Sequence, residues 1–262
     1  MALEDNQSAA THVPQFLKVR KDGIGQEAVS YLIKEGDVLV AIDGELFLGD
    51  SEALNAAFDD YDPTIVDDVA WLITFWREGT FFNLCFKAPL RAKFDFVTPE
   101  EGILLSEGFS KLVFGPIDAY QNFEIFRDLK KNASLHSTKS DPLASYAPLL
   151  WMLNNRLYYP MLAIIIVYGV TAATSTLLFV LSYILVCLYA KRAQLNLLRS
   201  YHLFEDKFFW LVVGATSETE ARESCKALDS DVKFRFDKEN LPQKLNRIQR
   251  KNARENQSTS DN

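Results

Sequence analysis

Histidine and cysteine, the side chains that most often ligate metals or act as bases and nucleophiles near neutral pH, are few and scattered in this sequence. There are three of each: His12, His136 and His202; Cys85, Cys187 and Cys225. No His-x-x-x-His spacing and no Cys-x-x-Cys pair occurs, so the usual zinc-ligand patterns are missing. Gly-x-Ser-x-Gly, the P-loop and Gly-x-Gly-x-x-Gly are missing as well, and Gly23-Ile-Gly25 reads as a turn. The acidic pairs Asp59-Asp60 and Asp67-Asp68 could hold a cation but, flanking Pro63, read as a solvated loop. Phe109, Phe114, Tyr120, Phe123 and Phe126 read as packing residues. The expectation is therefore no catalytic residue, no metal, no cofactor, and a protein that is not an enzyme.

The element around which the rest is arranged is Leu157–Ala190, 34 consecutive residues without Asp, Glu, Lys or Arg. A bilayer core about 30 Å thick needs roughly 20 apolar residues as a helix. As one helix the run would be about 50 Å long and tilted beyond the usual range. A hairpin is favoured instead, turning in the small and β-branched stretch Gly169–Thr176. Both flanks are basic, with Lys130, Lys131, Lys139 and Arg156 before and Lys191, Arg192 and Arg199 after. Positive charge concentrates on the cytoplasmic side, so two basic flanks call for an even number of crossings. Trp151, Tyr158, Tyr159 and Tyr189, with Arg156, Lys191 and Arg192, are the expected interface anchors. A charge within the run would have marked a transport pathway, and there is none.

Net charge is −7 but uneven: Met1–Leu72 carries 15 acids against four bases, and Lys233–Arg254 carries eight bases against two acids. The acidic front argues against nucleic acid as a partner. The basic tail suits either anionic membrane lipid or a solvated helix face. The start, MALEDNQSAATHVP, does not read as a secretory signal, and the cysteines suggest no disulfide framework. Both features point to a cytoplasmic N-terminal region and a bacterial inner (cytoplasmic) membrane, with both termini inside.

Ahead of the apolar run, the pattern predicts strands at Gln15–Arg20, Val38–Ile42, Val69–Trp76 and Thr80–Phe86. Helices are predicted at Gln26–Lys34 and, capped by Ser51, at Glu52–Phe58. The run Ile33-Lys-Glu-Gly-Asp-Val-Leu-Val-Ala-Ile-Asp-Gly44, backed by Phe75-Trp-Arg-Glu-Gly79, resembles the signature of bacterial PDZ domains. The resemblance implies that a peptide adds as a strand between Phe16, Leu17, Lys18 and Val19 and the helix carrying Ala53, Leu54 and Ala57. No Gly-Leu-Gly-Phe-type loop precedes that strand, and Pro14 removes one N–H, so a PDZ-like module serving as a docking surface stands beside peptide capture.

Beyond it, Ala92–Val97 alternates as a strand, Thr98 starts a helix, Asn122–Lys131 suits an amphipathic helix and Leu135–Pro148 reads as a linker on the membrane. After the run, Lys191–Phe204 continues as a basic helix, Phe208–Gly214 and Val232–Phe236 read as strands, and Ser217 begins a helix. Trp151, Arg156-Leu-Tyr158 and Tyr189-Ala-Lys-Arg192 also resemble a class of uncharacterised bacterial two-span membrane proteins, a likeness that implies no activity.

The expected fold class is an α+β membrane protein: an N-terminal PDZ-like β-rich domain, a transmembrane helical hairpin and a small C-terminal αβ cytoplasmic segment. Its expected divisions are 1–11 disordered, 12–88 PDZ-like, 89–148 connector, 149–195 hairpin, 196–240 cap and 241–262 basic, largely disordered tail. The expected role is a non-catalytic membrane-anchored adaptor or accessory subunit of a larger complex. Its partners are membrane lipid and other membrane subunits or protein tails. The rival is a regulator that presents peptide tails to a membrane protease.

Overall fold

Two tight turns set the register of the N-terminal strands. The computed structural model describes residues 15–58 and 70–234. The expectations placed on the polar start, the acidic pairs and nearly all of the basic tail lie outside them. Leu17–Ile24 (β1) leads through the short helix Gln26–Ser30 (α1) to Val38–Ile42 (β2), which turns at Asp43-Gly44 into Glu45–Leu46 (β3). Asp43 and Gly44 have φ of 51° and 80°, the pair of positive angles a two-residue hairpin needs, and Asp and Gly meet that need at little cost. Ser51–Ala56 (α2) follows, capped by Asp50, whose carboxylate accepts from the Glu52 and Ala53 amides; the expected cap, Ser51, is the first helical residue. Trp71–Arg77 (β4) and Thr80–Phe86 (β5) are joined at Glu78-Gly79, again with both φ positive. Ala92–Phe96 (β6) and Pro99–Phe109 (α3), the latter capped by Thr98, match their predicted places closely.

The connector differs most from expectation. Gln121–Arg127 (β7) is a strand where an amphipathic helix was expected, and it pairs with Asn132–Ser137 (β8) in place of part of the expected linker. The reason is that β7 is covered on both faces. Phe123 and Ile125 join the core of the C-terminal half, while Glu124 and Phe126, one residue out of phase, meet the next-to-last helix. A strand buried on both sides loses its two-residue alternation, and a short apolar run then fits a helix equally well. Pro142–Tyr146 (α4) and Pro148–Asn154 (α5) occupy the remainder. Next come the apolar helices Tyr158–Thr174 (α6) and Thr176–Phe204 (α7), separated by one extended residue, Ser175. Phe208–Ala215 (β9), Glu218–Leu228 (α8) and Lys233–Phe234 (β10) complete the described chain.

The two αβ units expected on either side of the apolar helices form one sheet. Its order is β10-β8-β7-β9-β5-β4-β2-β1-β6, with β3 paired to β2, so β9 is inserted between strands of the preceding chain. The join between halves is the pairing of Asn83 on β5 with Gly214 on β9. A Cβ at Gly214 would lie 3.2 Å from backbone atoms of Asn83 and Leu84, so any side chain there would press the two strands apart by a few tenths of an ångström. Near this junction the Asn122 side chain from β7 bonds the β5 backbone directly: its Oδ1 accepts from the Cys85 amide (2.8 Å) and its Nδ2 donates to the Cys85 carbonyl (2.7 Å). Asn122→Ala leaves two backbone groups beside the buried Cys85 without partners, and a loss of about 2 kcal/mol in urea unfolding is expected. A loss near zero would mean that water replaces the amide. Leu228, at the end of α8, packs against the cores of both halves.

Candidate interface cleft

The groove expected beside Phe16–Val19 is filled by the chain itself. β1 is hydrogen-bonded on both edges, to β2 and to β6, with Leu17 opposite Phe96, Lys18 opposite Asp95 and Val19 opposite Phe94. Phe16, Leu17 and Val19 are buried, as is Leu54 on α2, while Ala53 and Ala57 are exposed. The slot in which an added peptide would bond is thus occupied by β6, a correction to the expected open edge. What the PDZ-like signature residues build instead is structural. Asp37 accepts from Arg77 Nε (2.7 Å) and Nη2 (2.6 Å) and from the Lys34 amide (2.7 Å), and Arg77 also donates to the Leu32 carbonyl. The two sequence segments that carried the resemblance are therefore tied to each other by a buried ion pair.

The expected anchors divide. Tyr158, Tyr159, Tyr189, Lys191 and Arg192 are exposed, in keeping with an interfacial position. Trp151 is not: it is 1 % exposed, in a core formed with Ala144, Met152, Leu157, Ala190 and Leu198. An indole buried between α5 and α7 packs these helices against each other and cannot sit among headgroups. Arg156 is half-buried and lines a cleft.

This cleft, about 670 Å³ in volume, lies where the C-terminal end of α7 meets β8, α5, α8 and β10. α7 is held there by charge. Arg199 donates from Nε to Glu124 on β7 (2.9 Å) and from Nη2 to the other carboxylate oxygen, and Glu124 is 4 % exposed. One turn on, His202 stacks on Phe126 (centroids 4.9 Å apart) and brings its Nε2 against Nε2 of His136 on β8. His202 Nδ1 faces the Glu205 carboxylate at 3.6 Å. One of the two facing Nε2 atoms donates to the other, and the tautomers set which. Lys207 closes the corner, donating to Glu205 (2.8 Å) and to Ser134 Oγ (2.9 Å). Across the cleft Arg222 pairs with Glu218 (3.1 Å) and lies over the Phe234 ring.

His136 and His202, isolated by 66 positions in sequence, are thus brought together by the sheet. Nothing local in the sequence signals this; only the pairing of β8 in front of α7 does. Burial, reinforced by the neighbouring His202 and Lys207, pushes the His136 imidazole down to about 3, against a weaker opposing pull from Glu205. A solvated imidazole titrates near about 6.5, so below that pH the unfolded chain binds a proton that the folded chain refuses. The stabilisation is complete above about 6.5 and is lost as pH falls towards about 3. Melting temperature is expected to fall on acidification over that window, and His136→Gln to flatten the fall. An unchanged slope would move the acid sensitivity elsewhere. Among the described residues no three side chains of His, Cys, Asp or Glu converge as a metal-binding group.

Of the two apolar helices, Thr176–Phe204 is long and apolar enough to cross a membrane, and only 6 % of its apolar window is buried. Tyr158–Thr174 is a shorter apolar helix, packed against it through Tyr168, whose ring meets Phe179 and Tyr183. Ile166, Val170, Leu177, Leu181 and Leu185 all point outward and are more than half exposed. A soluble core helix would hide such a surface. No protein family matches this chain, and no curated protein or solved structure matches it either.

Proposed function

We propose that this protein is a non-catalytic, membrane-anchored adaptor or accessory subunit, with α6 and α7 entering a bacterial inner membrane as a hairpin and the sheet domain held on the cytoplasmic face. The observation that carries the reading is the insertion of β9 between β5 and β7. Chain before and after the apolar helices belongs to one sheet, so a chain that leaves that domain for the bilayer must return on the same side. α6, at 17 residues, is about 25 Å long, near the lower limit for a crossing. The basic flanks favour the cytoplasmic side, as the positive-inside rule has it. The PDZ-like module then acts by its outer surface, because β6 fills the slot beside β1. That favours the adaptor over a regulator that hands peptide tails to a protease.

Two measurements test this. Membranes washed with alkaline carbonate are expected to retain the protein, with terminal tags digested only after the cytoplasmic face is opened. A tag reached from the other side would remove the hairpin topology. Gentle detergent extraction followed by mass spectrometry is expected to recover a defined set of membrane subunits at near-equal amounts. Recovery alone, or with a protease and varied substrates, would sink the adaptor reading.

A further inference from the structure

We propose that the cleft between α5, the end of α7, α8 and β10 binds a phosphate-bearing anion, a phosphomonoester or phosphodiester presented at the membrane surface. The position of the site rests on the membrane reading above; its chemistry does not. Arg156 lies two residues before Tyr158, and Tyr158 and Tyr159 are 51 % and 68 % exposed at the start of α6. The Tyr159 ring meets that of Phe204 at the end of α7 (5.7 Å), and Tyr201 is part of the cleft wall. The cleft therefore opens at the level where tyrosines mark the boundary of the apolar helices, the plane at which lipid phosphates lie.

Its charge is opposite to that of the chain. Among the described residues Arg156, Lys207, Arg222 and Lys233 line it, against Glu205 and Glu218, four cations to two anions, in a protein of net charge −7. The four cations come from separate elements: the turn before α6, the turn after α7, α8 and β10. Such convergence is not the by-product of one amphipathic helix face. His136, kept neutral by its surroundings, adds no competing charge of either sign. Two buried nitrogens have no hydrogen-bond partner: His202 Nδ1, which faces the Glu205 carboxylate at 3.6 Å, and Arg222 Nε, which is always a donor. Buried polar groups normally have partners, so the unpartnered Arg222 Nε in the wall of a cationic cleft points to an anionic ligand. Glu218, 66 % exposed, can swing away from Arg222 and leave its guanidinium to a phosphate. The volume, about 670 Å³, exceeds what a bare phosphate needs and suits a phosphate with its glycerol or sugar.

The test uses the full chain in neutral detergent, with binding followed by native mass spectrometry and thermal shift. The probes are dioctanoyl phosphatidic acid, dioctanoyl phosphatidylcholine, glycerol 3-phosphate and inorganic phosphate. Phosphatidic acid is expected to bind at least about tenfold more tightly than phosphatidylcholine, and Arg222→Gln with Lys233→Gln to lose about tenfold of that affinity. Unliganded melting of the double variant checks that it still folds, and Lys233→Gln alone serves if it does not. Competition by glycerol 3-phosphate at equal concentration assigns the site to a free phosphate ester; its failure to compete assigns a lipid headgroup. Equal binding of the two lipids together with no binding of either free phosphate overturns the proposal, as does affinity unchanged in both variants. A protein that washes off membranes but still binds glycerol 3-phosphate fails the membrane reading and keeps the site. One that stays in membranes and binds no probe does the reverse.

Discussion

Asp37→Ala is expected to cost about 4 kcal/mol of folding stability, enough to unfold a marginal domain. Asp37 is 1 % exposed and receives three hydrogen bonds, two from the Arg77 guanidinium and one from the Lys34 amide. Removing it strands a guanidinium that is itself 11 % exposed, next to Phe82, whose ring lies 4.8 Å beneath it. The cost comes mainly from burying an uncompensated charge and less from losing the attraction. A comparison separates these. Asp37→Leu combined with Arg77→Met replaces the pair by apolar groups of similar size and is expected to be much less damaging than Asp37→Ala. Urea unfolding monitored by tryptophan fluorescence reads both. If the double variant were as unstable as the single one, the pair would be contributing net attraction, and the desolvation argument would be wrong. The β1–β2 loop and the β4–β5 hairpin should loosen together, because Arg77 Nη2 also holds the Leu32 carbonyl.

Arg199→Ala is expected to cost about 3 kcal/mol and, more tellingly, to free the end of α7 from the sheet. Glu124 is 4 % exposed on a strand buried on both faces, and Arg199 supplies both hydrogen bonds to its carboxylate. Arg199 is itself 43 % exposed, so its own charge is solvated without the pair; the penalty falls on the carboxylate left behind. Glu124→Gln with Arg199→Ala is therefore expected to recover most of the loss. Hydrogen exchange should show the loss of protection concentrated in Leu195–Phe204 and β7. Uniform deprotection across β1, β2 and β4 would mean that the ion pair stabilises the whole sheet and does not specifically clamp the apolar helix.

Much of the local structure was legible because it is encoded within a few residues. Asp43-Gly44 and Glu78-Gly79 dictate hairpins through backbone angles, Thr98 and Ser217 cap their helices with their own hydroxyls, and Thr80–Phe86 has the strand period. The first helix is shorter than its pattern, ending at Ser30 because Leu32 adopts a positive φ of 56° on the way to β2. The expected peptide groove failed for a different reason. Phe16–Val19 has the composition of a strand, but composition does not say how many neighbours a strand has, and β6 turned out to be the second. Trp151 was read as an interfacial anchor because tryptophan is common there; its burial against Ala190 and Leu198 depends on where α7 runs, 39 and 47 positions further along the chain.

By itself the sequence determined the charge-free run that exposes its side chains, the turn chemistry, the helix caps and the absence of local catalytic or metal-binding spacings. Each of these is a short-range property, decided by residues that touch along the chain. Only the tertiary structure decided that β9 sits between β5 and β7, that His136 meets His202, and that four cations from separate elements face one cleft. Those arrangements follow from sheet pairing between segments up to 131 positions apart, as in Asn83 with Gly214. Backbone hydrogen bonds are the same for every residue, so the order of strands is chosen by how whole faces pack, and no single stretch of sequence carries that choice.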